Sequence, residues 1–396
     1  MSQTRFALLM AMAVALTPLA IDAYLPAFPA MAAAFGEPIH SIALSLSIYM
    51  MALAVGQLVG GPLSDRIGRS RIMLSGMALF ATASVMLATA ADLDELLLWR
   101  AVQAFGGGWT AVCIPAIVRD RVEGREAARL FSLIGLITIS APAVAPSLGS
   151  TILLLSEWHG IFLFLAGYAL VALALLWFGL FAGQPRHYGT PPQNLLASYG
   201  LVLRHTGAMR FMLLQALVFS VMLTFLTHAS FIYQEWFGLS EYAFSSVFAL
   251  NIVAMAAVNI TNRKLLKSGE PAIILRVAVM TQSVSVLVLA LVTAFAPVLW
   301  LFVPVMMVSV GCLGAIGPNS TACCMQFFKR NSGTASAILG ALQFSLAGGI
   351  SAASTFVADG SVVRIVLIML ACSLMAAALA WGGPATMRQR GHEAPL

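Results

Sequence analysis

The chain has 396 residues, of which 60% are hydrophobic and only 9% are charged, and its formal net charge is +6. A soluble globular protein carries about 25% charged residues, so this composition excludes that class and indicates a protein that lies in a membrane. The basic residues are spread over many short polar segments, so the positive charge does not indicate nucleic-acid binding.

Apolar runs of about 20 residues recur along the whole chain, and a helix of that length spans a bilayer. The first run follows Arg5 and is similar to a signal peptide, but its apolar part exceeds the roughly 7 to 15 residues of a signal h-region. We therefore expect a retained first helix. The predicted spans are 6–29, 41–62, 72–90, 96–117, 129–153, 160–182, 209–234, 242–262, 272–295, 298–322, 333–356 and 361–384.

The polar connections differ in charge on the two sides of the membrane. If the N-terminus is cytoplasmic, most of the 21 basic residues fall on the inner side, whereas the outer connections carry acidic residues such as Asp92, Asp94 and Glu157. Basic residues collect on the cytoplasmic side of membrane proteins. We therefore expect a multi-pass protein of the bacterial inner membrane with both termini in the cytoplasm.

The longest polar stretch, "GQPRHYGTPPQNLLASYGLVLRHTGAMR", follows the sixth span and divides the spans six and six. We predict a six-helix bundle over residues 1–183, a cytoplasmic linker over 184–208 and a second six-helix bundle over 209–396. Two bundles of the same orientation indicate parallel halves related by an axis along the membrane normal. The predicted fold is therefore an all-α membrane protein of twelve transmembrane helices in two six-helix bundles.

Enzyme and pump motifs are absent from the sequence. No GxxxxGK[ST], HExxH, CxxC or GxSxG motif occurs, so we expect neither an enzyme nor a cofactor or metal. The cysteines are predicted to be small apolar packing residues without disulfides. They are Cys113, Cys312, Cys323, Cys324 and Cys372.

Two opposite charges lie inside predicted spans. Asp22 is about 16 residues into the first span, roughly 24 Å from its inner end, and Arg100 lies about five residues from the outer end of the fourth. Their similar depth makes Asp22 tolerable if Arg100 or cavity water solvates it. The alternative for Arg100 is a side chain that extends along the span to the interface. Pro18 and Pro26 share a helix face with Asp22 and loosen the backbone there.

The segment "GGPLSDRIGRSR" resembles the G-x-L-x-D-R-x-G-R-[KR] signature of the major facilitator superfamily, with Ser70 in place of the last basic residue. The resemblance implies a gating loop, in which Asp65 pairs with Arg119 and with the helix N-terminus near 332–334. A simple positive-inside anchor is the alternative. The matching residues, with the expected partner, are Gly61, Leu63, Asp65, Arg66, Gly68, Arg69 and Arg119.

The fourth span resembles the superfamily's R-x-x-Q-G-x-G segment through Arg100, Gln103 and Gly106, although Ala104 replaces a glycine. The segment "LTPLAIDAYLPAFPAMAAAFG" resembles the Bcr/CflA (bicyclomycin/chloramphenicol resistance) group of drug:proton antiporters, as do "FIYQEWFGLSEYAFSSVFALN" and "GTASAILGALQF". The chain departs from drug antiporters in the fifth span, where "APSLGS" replaces G-P-x-x-G-G. Small residues at 141, 145 and 149 still form a close-packing stripe there.

Other polar and aromatic residues of the spans are candidates for a cavity between the halves. His228 can relay protons, because an imidazole titrates near neutrality, or can be a hydrogen-bonded packing residue. For each of the remaining residues, packing against lipid or another helix is the alternative. The candidate substrate-binding residues are Tyr24, Gln103, Phe105, Trp109, Gln215, Phe225, Asn251 and Gln343.

These residues predict a proton-coupled exporter of small amphiphilic or aromatic compounds that works by alternating access. Asp22, Arg100 and His228 are the predicted proton-coupling residues, and the expected partners are a small-molecule substrate, protons and lipid, for a monomer. A proton-coupled uptake symporter for a nucleoside or sugar is the alternative. A non-transporting membrane sensor is a third class, but it leaves two embedded charges and a gating loop without a task.

Overall fold

Helices make up almost all of the regular structure. The computed structural model describes residues 3–121, 141–182, 195–328 and 332–382, and no strand occurs in these ranges. Eleven of their helical segments are long and apolar enough to cross a membrane, and one further apolar helix, Ala141–Leu155, is shorter. The prediction of an all-α membrane protein is confirmed.

The predicted spans agree with the helices to within a few residues, apart from the first, the fifth and the tenth. The fifth, 129–153, is seen only in its second half because residues 122–140 lie outside the described part. The tenth is interrupted at Cys312. The helices are α1 (Gln3–Asp22), α2 (Phe28–Phe35), α3 (Ile39–Ile67), α4 (Arg69–Leu87), α5 (Leu93–Arg121), α6 (Ala141–Leu155), α7 (His159–Leu176), α8 (Leu195–Arg204), α9 (Thr206–Ser230), α10 (Glu241–Leu265), α11 (Pro271–Phe295), α12 (Leu299–Gly311), α13 (Leu313–Met325), α14 (Ser332–Ala358) and α15 (Val362–Trp381).

The chain divides into two compact units. Unit 1 comprises Met1–Gln193 and Gly238–Ser246, and unit 2 comprises Asn194–Phe237 and Val247–Leu396. Helix α8, which lies in the second half of the predicted linker 184–208, belongs to unit 2.

The first span is broken, where the sequence predicted a single helix over 6–29. It extends from Arg5 to Phe35 but consists of α1, a short 3₁₀ turn and α2. A proline ring collides with the carbonyl four residues earlier and has no N–H to donate to it. Pro26 therefore ends α1 at Asp22, and the membrane-spanning backbone is irregular directly after the acidic residue.

Helix α5 forms the centre of unit 1 and packs against α3 and α4 through glycines. A methyl group at Gly108 would lie 2.6 Å from the Leu53 carbonyl oxygen and 2.9 Å from the Gln57 nitrogen. Gly76 and Gly106 meet on the other side, where a methyl group on either would lie 2.6 Å from the carbonyl oxygen of the other. These contacts allow backbone-to-backbone approach, as is common between membrane helices.

The connection between α3 and α4 is a single residue, Gly68. Its φ of +106° lies in a region that side-chain-bearing residues rarely adopt, so this position of the "SDRIGR" segment requires glycine. Its N–H bonds to the Ser64 carbonyl at 3.0 Å and closes the last turn of α3. Gly61, which the sequence also predicted to allow close approach, is in ordinary contact with Val112.

Unit 2 is organised around α9, whose span is the most deeply buried of the eleven spans in the described part of the chain. It packs against α13, α14 and α15, and the Ser320 hydroxyl of α13 donates to the Phe211 carbonyl of α9 at 3.0 Å. All five cysteines are buried free thiols, as predicted.

The glycine contact between α4 and α5 predicts that Gly106→Ala lowers the thermal stability of the purified protein. The added methyl group meets backbone atoms that cannot move independently of their helix, and overpacking of this kind costs about 1–3 kcal/mol. Thermal unfolding in detergent, followed by thiol reactivity of the buried cysteines, measures the effect.

Gly167→Ala is the matched control, because a methyl group at Gly167 of α7 meets nothing within 4 Å. Alanine favours helix over glycine by about 0.5–1 kcal/mol, so this variant should unfold at the same or a higher temperature. Equal stability of the two variants would show that the close crossing does not limit the packing of unit 1.

Candidate functional site

The break in the first span leaves backbone carbonyls of α1 without helical partners. The Ala23 N–H still bonds to the Leu19 carbonyl, but the next carbonyl, that of Ala20, is bonded instead by Arg100. Both terminal nitrogens of Arg100 donate to it, each at 3.2 Å. A cation at the C-terminal end of a helix also interacts favourably with the helix dipole. Arg100 therefore caps the interrupted helix.

Arg100 is completely buried, so the alternative of a side chain reaching the interface is excluded. Its guanidinium lies 4.1 Å from the centre of the Tyr24 ring and 4.4 Å from that of Tyr49. It also donates to the Gln103 side-chain oxygen at 2.6 Å. The positive charge is thus held by a carbonyl, an amide and two aromatic faces, which stabilise a cation without neutralising it.

A chain of hydrogen bonds continues from Arg100 into α4. The Gln103 amide nitrogen donates to the Ser84 hydroxyl at 2.7 Å, and that hydroxyl donates to the Phe80 carbonyl at 2.7 Å. On the other side, the Tyr24 and Ser45 hydroxyls are 3.0 Å apart. Because every member is buried, this network fixes the positions of Arg100 and of the break in span one.

Asp22 is 4% exposed, yet no hydrogen bond or ion pair joins its carboxylate to another group in the described part of the chain. Arg100, which the sequence predicted to lie at a similar depth, bonds to the backbone two residues before Asp22. An ionised carboxylate in an apolar surrounding is costly unless it is paired. The break in the first span therefore carries a buried carboxyl group and a cation that is engaged by the backbone.

The stripe of small residues predicted in the fifth span packs against this site. Ala145 is fully buried. A methyl group at Gly149 would collide with the Ala23 carbonyl oxygen, next to Asp22. This chain keeps only one of the three glycines of the drug-antiporter pattern, Gly149. That glycine lets α6 approach the break in the first span.

Phe105 and Trp109 lie one turn apart on α5 with their ring centres 5.2 Å apart. Gly60 of α3 accommodates Trp109, since a methyl group there would lie 2.8 Å from the indole ring. The indole N–H is buried and has no hydrogen-bond partner among the described residues. It is an available donor for a bound molecule or water.

In unit 2, His228 belongs to a buried polar cluster rather than to an apolar contact. Its Nε2 lies 2.9 Å from the Ser354 hydroxyl, which donates to the Ser351 carbonyl at 2.6 Å. The Ser351 hydroxyl is in turn 2.6 Å from that of Thr227. Because the single proton of the Ser354 hydroxyl is donated to the Ser351 carbonyl, that hydroxyl accepts from the imidazole, and the hydrogen bond fits an imidazole whose Nε2 carries a hydrogen.

A second polar cluster of unit 2 brings together two predicted binding residues. The Gln215 nitrogen donates to the Gln343 oxygen at 2.7 Å, and the Thr321 hydroxyl donates to the Gln215 oxygen at 3.2 Å. All three side chains are partly exposed. They can offer amide groups to a polar ligand.

Asn251 and Phe225 both lie near Tyr233. Asn251 is buried beside the Tyr233 hydroxyl and donates to the Val247 carbonyl at 3.3 Å. Phe225 is 2% exposed and meets the Tyr233 ring edge to face at 6.0 Å. Both residues pack inside unit 2 in this conformation.

The predicted gating pair, Asp65 and Arg119, lies outside the described side chains, as does the segment near 332–333. Arg66 is exposed and Arg69 is half-buried beside the Gly68 turn.

Comparison with known families assigns this architecture. A profile of the Major Facilitator Superfamily matches residues 10–352. The chain belongs to the Major Facilitator Superfamily. The predicted major facilitator fold is confirmed, and the chain is a multi-pass membrane transporter. Members of this superfamily are transporters and not enzymes.

Similar members of the superfamily include drug-resistance proteins, in agreement with the predicted resemblance to the Bcr/CflA group. The chain is 26% identical over 333 residues to a bicyclomycin resistance protein homolog of Haemophilus influenzae, covering 84% of each chain. It is 29% identical over 341 residues to a chloramphenicol resistance protein of Pseudomonas aeruginosa, covering 85% of this chain and 80% of the relative. An uncharacterized MFS-type transporter, YdgK of Bacillus subtilis, is 31% identical over 353 residues, 87% of each chain.

Solved structures of the superfamily have the same fold. The xylose transporter XylE of Escherichia coli, in a partially occluded inward-open conformation, aligns with a TM-score of 0.77 at 14% identity, covering 96% of this chain and 97% of that one. A crystal structure of a D-xylose-proton symporter aligns with a TM-score of 0.79 at 15% identity over the same shares.

Sequence reasoning missed several residues of these clusters. Tyr49, Ser84, Ser351 and Ser354 are common helix-packing residue types and carry no local signal of their own. Only the three-residue spacing of Ser351 and Ser354, one turn apart on α14, places them on one face. The role of the Ala20 carbonyl is invisible in a sequence, because a backbone acceptor depends on where the helix breaks.

The geometry predicts that Arg100→Lys destabilises the protein even though it preserves the charge. A lysine ammonium cannot present two forked N–H groups to Ala20 while lying over two rings and bonding to Gln103. The loss of charged hydrogen bonds should lower stability by about 2 kcal/mol, measured as the midpoint of thermal unfolding in detergent.

Arg364→Lys is the control for that substitution, because the Arg364 side chain is 53% exposed and lies 3.9 Å from Asp359. Exposed substitutions of this kind change stability by less than about 0.5 kcal/mol. If the two lysine variants unfolded at the same temperature, Arg100 would not hold the break in the first span.

Proposed function

We propose that the protein is a proton-coupled exporter of small amphiphilic or aromatic compounds and works by alternating access. The observation that carries this proposal is Asp22, a buried carboxyl group that has no hydrogen-bond or ion-pair partner among the described residues and lies at a helix break inside a membrane span. Transporters commonly form substrate and coupling-ion sites from discontinuous helices near the middle of the bilayer.

The proton-coupling role of Asp22 follows from the cost of a buried charge. An unpaired ion in a low-dielectric interior costs several kcal/mol, and protonation of the carboxyl group removes that cost. Exposure to water restores the stability of the carboxylate. In our proposal Asp22 takes up a proton from outside, carries it in neutral form through the conformational change and releases it inside as substrate binds.

Arg100 has a supporting role in this mechanism. Its hydrogen bonds to Ala20 keep the irregular backbone in place while Asp22 changes charge. Its positive charge at the same depth favours the ionised carboxylate when the two groups approach. The proton affinity of Asp22 then depends on the conformation, which coupling requires.

The substrate class rests on aromatic groups and on the relatives. Phe105 and Trp109 offer large apolar faces with one indole N–H available for a hydrogen bond, as suits a compound with an apolar body and few polar groups. Similar proteins carry the names bicyclomycin resistance protein homolog and chloramphenicol resistance protein. We extend drug export to this chain on that basis, with Tyr24, Gln103, Gln215, Phe225, Asn251 and Gln343 as further candidate binding residues.

His228 is the proposed second proton site. The Ser354 hydroxyl contacts the imidazole directly and, by turning its O–H away from the Ser351 carbonyl, can take a proton from the imidazole or give one to it. This role is independent of Asp22, because the cluster lies within unit 2.

The inner side is proposed to be closed by the "SDRIGR" turn. Asp65 would pair with Arg119 and with the N-terminus of α14, whose positive end attracts a carboxylate. Gly68 supports the proposal, since its positive φ gives the one-residue turn a fixed geometry beside Asp65. The remaining gating residues are Gly61, Arg66 and Arg69.

An uptake symporter for a polar nutrient is the second candidate. The Gln215–Gln343–Thr321 cluster favours it, because amide groups can bind the hydroxyls of a sugar or nucleoside. The direction of the proton gradient that drives transport distinguishes the exporter from the symporter.

We further propose that the protein is a monomer in the bacterial cytoplasmic membrane. The distribution of basic residues supports the placement of both termini in the cytoplasm.

The decisive variant is Asp22→Asn in inverted vesicles or proteoliposomes. The amide has the shape of the protonated acid but cannot exchange a proton, so proton-driven accumulation of substrate should fall to the level of vesicles without protein. Exchange of labelled for unlabelled substrate, which needs no proton, should survive. Because a buried charge is removed, thermal stability should stay equal or rise.

Asp359→Asn is the matched control, since Asp359 is exposed and its positive φ is tolerated by asparagine. It should retain wild-type transport. If an acid interior drives accumulation of substrate in inverted vesicles, the protein is an exporter. If the opposite proton gradient drives accumulation, the protein is a symporter. Wild-type proton release by Asp22→Asn would leave Asp22 as a packing residue.

Asp65→Asn tests the gate. Loss of the charge should weaken the inner closure and raise the labelling rate of cysteines introduced at the inner ends of the spans, with thermal stability nearly unchanged. Asp94→Asn, at the exposed start of α5, is the control. Identical labelling rates and transport in wild type and Asp65→Asn would contradict the gating role.

A further inference from the structure

A long groove lies on the exposed surface of unit 2, away from the polar clusters described above. It has a volume of about 800 Å³ and runs along α11 beside α12. Its walls are almost entirely aliphatic. The lining residues are Ile273, Arg276, Val277, Met280, Thr281, Val284, Ser285, Val288, Val305, Val308 and Trp381.

The dimensions of the groove fit one lipid chain. Its α11 wall begins at Ile273, and the part beyond Arg276 extends to Val288, twelve residues further or about 18 Å at 1.5 Å per residue. Half of the hydrocarbon core of a bilayer is about 15 Å deep. Val277 is 62% exposed and the hydroxyl of Thr281 bonds to its own helix, so the wall offers an acyl chain apolar surface without unsatisfied groups.

Two arginines converge at one end of the groove, on the last turn of α15. Arg276 donates from Nε to the Ala380 carbonyl at 2.9 Å. Arg210 donates to the Leu379 and Ala380 carbonyls at 2.6 and 3.1 Å. The negative end of the helix dipole offsets only part of two positive charges.

Both arginines bring a positive charge to the Ala380 carbonyl. Arg210 forms no ion pair within the described residues. The ring of Trp381 lies 5.2 Å from the Arg276 guanidinium and is 60% exposed. Tryptophan at a span end is typical of the level of the lipid head groups.

We propose that this groove is a binding site for an anionic phospholipid, with one acyl chain along α11 and the phosphate bound by Arg276 and Arg210. The apolar wall, its length and the paired charges at head-group level each match one part of such a lipid. A lipid whose head group has a net negative charge should bind more tightly than a zwitterionic lipid. The net charge arises either from a second negative group or from the lack of a cationic group.

The site connects lipid binding to α9. Arg210 lies in the second turn of α9, the helix that also carries Gln215 and His228. A bound phosphate would accept hydrogen bonds from Arg210 and Arg276, which also donate to the α15 carbonyls, and so would tie the ends of α9, α11 and α15 together. Stability, and the freedom of α9 to move, should therefore depend on lipid charge, whichever substrate is transported.

The test is lipid retention by the full-length protein purified from an equal mixture of phosphatidylglycerol and phosphatidylcholine, read by native mass spectrometry. Wild type should retain phosphatidylglycerol preferentially. Arg276→Gln should reduce the preference about fivefold. Lys264→Gln, an exposed basic residue at the end of α10 and outside the groove, should leave it unchanged.

Val284→Trp keeps both arginines and fills the groove, so it should reduce retention even though Arg276 remains and the fold is unaltered. Phosphatidylglycerol brominated in its acyl chains should quench the fluorescence of Trp381. This contribution is measured as the difference in quenching between wild type and Trp381→Phe. Equal retention of the two lipids by wild type, or unchanged retention in both groove variants, would overturn the proposal. Release of the lipid by inorganic phosphate alone would also overturn the proposal, since the acyl chain of the lipid would then contribute nothing to binding.

Discussion

The hydrogen bonds from Arg100 to the Ala20 carbonyl are the constraint on which unit 1 depends. A helix interrupted inside a membrane exposes carbonyls that neither lipid nor water can satisfy, and each unsatisfied group costs several kcal/mol. Arg100 satisfies the Ala20 carbonyl at the end of α1, where the helix stops ahead of Pro26. Burial of an arginine and breakage of a helix are each unfavourable alone, but together each removes the cost of the other.

Close packing of glycines makes this arrangement possible. Arg100 lies on α5, and α5 can reach the broken span only because it lies against α3 and α4 with backbone contacts at Gly108 and Gly106. Gly149 brings α6 to the same point from the other side. Asp22 is buried at this point and has no partner among the described residues, so its charge state is sensitive to any change in its access to water.

The two units solve the problem of buried polar groups differently. The buried network of unit 1 centres on the charge of Arg100, held by a carbonyl, an amide and two aromatic rings, whereas the clusters around His228 and Gln215 in unit 2 consist of hydroxyl, amide and imidazole groups. Neutral groups can exchange partners at little cost, while a buried charge cannot move without losing its solvation. This contrast assigns the fixed element of the proposed mechanism to Arg100 and leaves unit 2 able to adapt to different ligands.

Much of the fold followed from the sequence alone, because span length and charge distribution are local features that the bilayer imposes directly, and because the "SDRIGR" and "DAYLPAFP" segments resemble motifs of a known superfamily. The sequence likewise indicated that Asp22 and Arg100 lie at one depth, since both positions can be counted along helices of known rise. It did not indicate the break after Asp22, although Pro26 was visible, because a proline inside a span can also be tolerated, as Pro18 is in α1. Nor could it show that Arg100 bonds to a backbone carbonyl rather than to Asp22, or that His228 joins Ser354. Those partners lie 80 and 126 residues apart in the chain, and only the packing of helices decides which groups at one depth face each other.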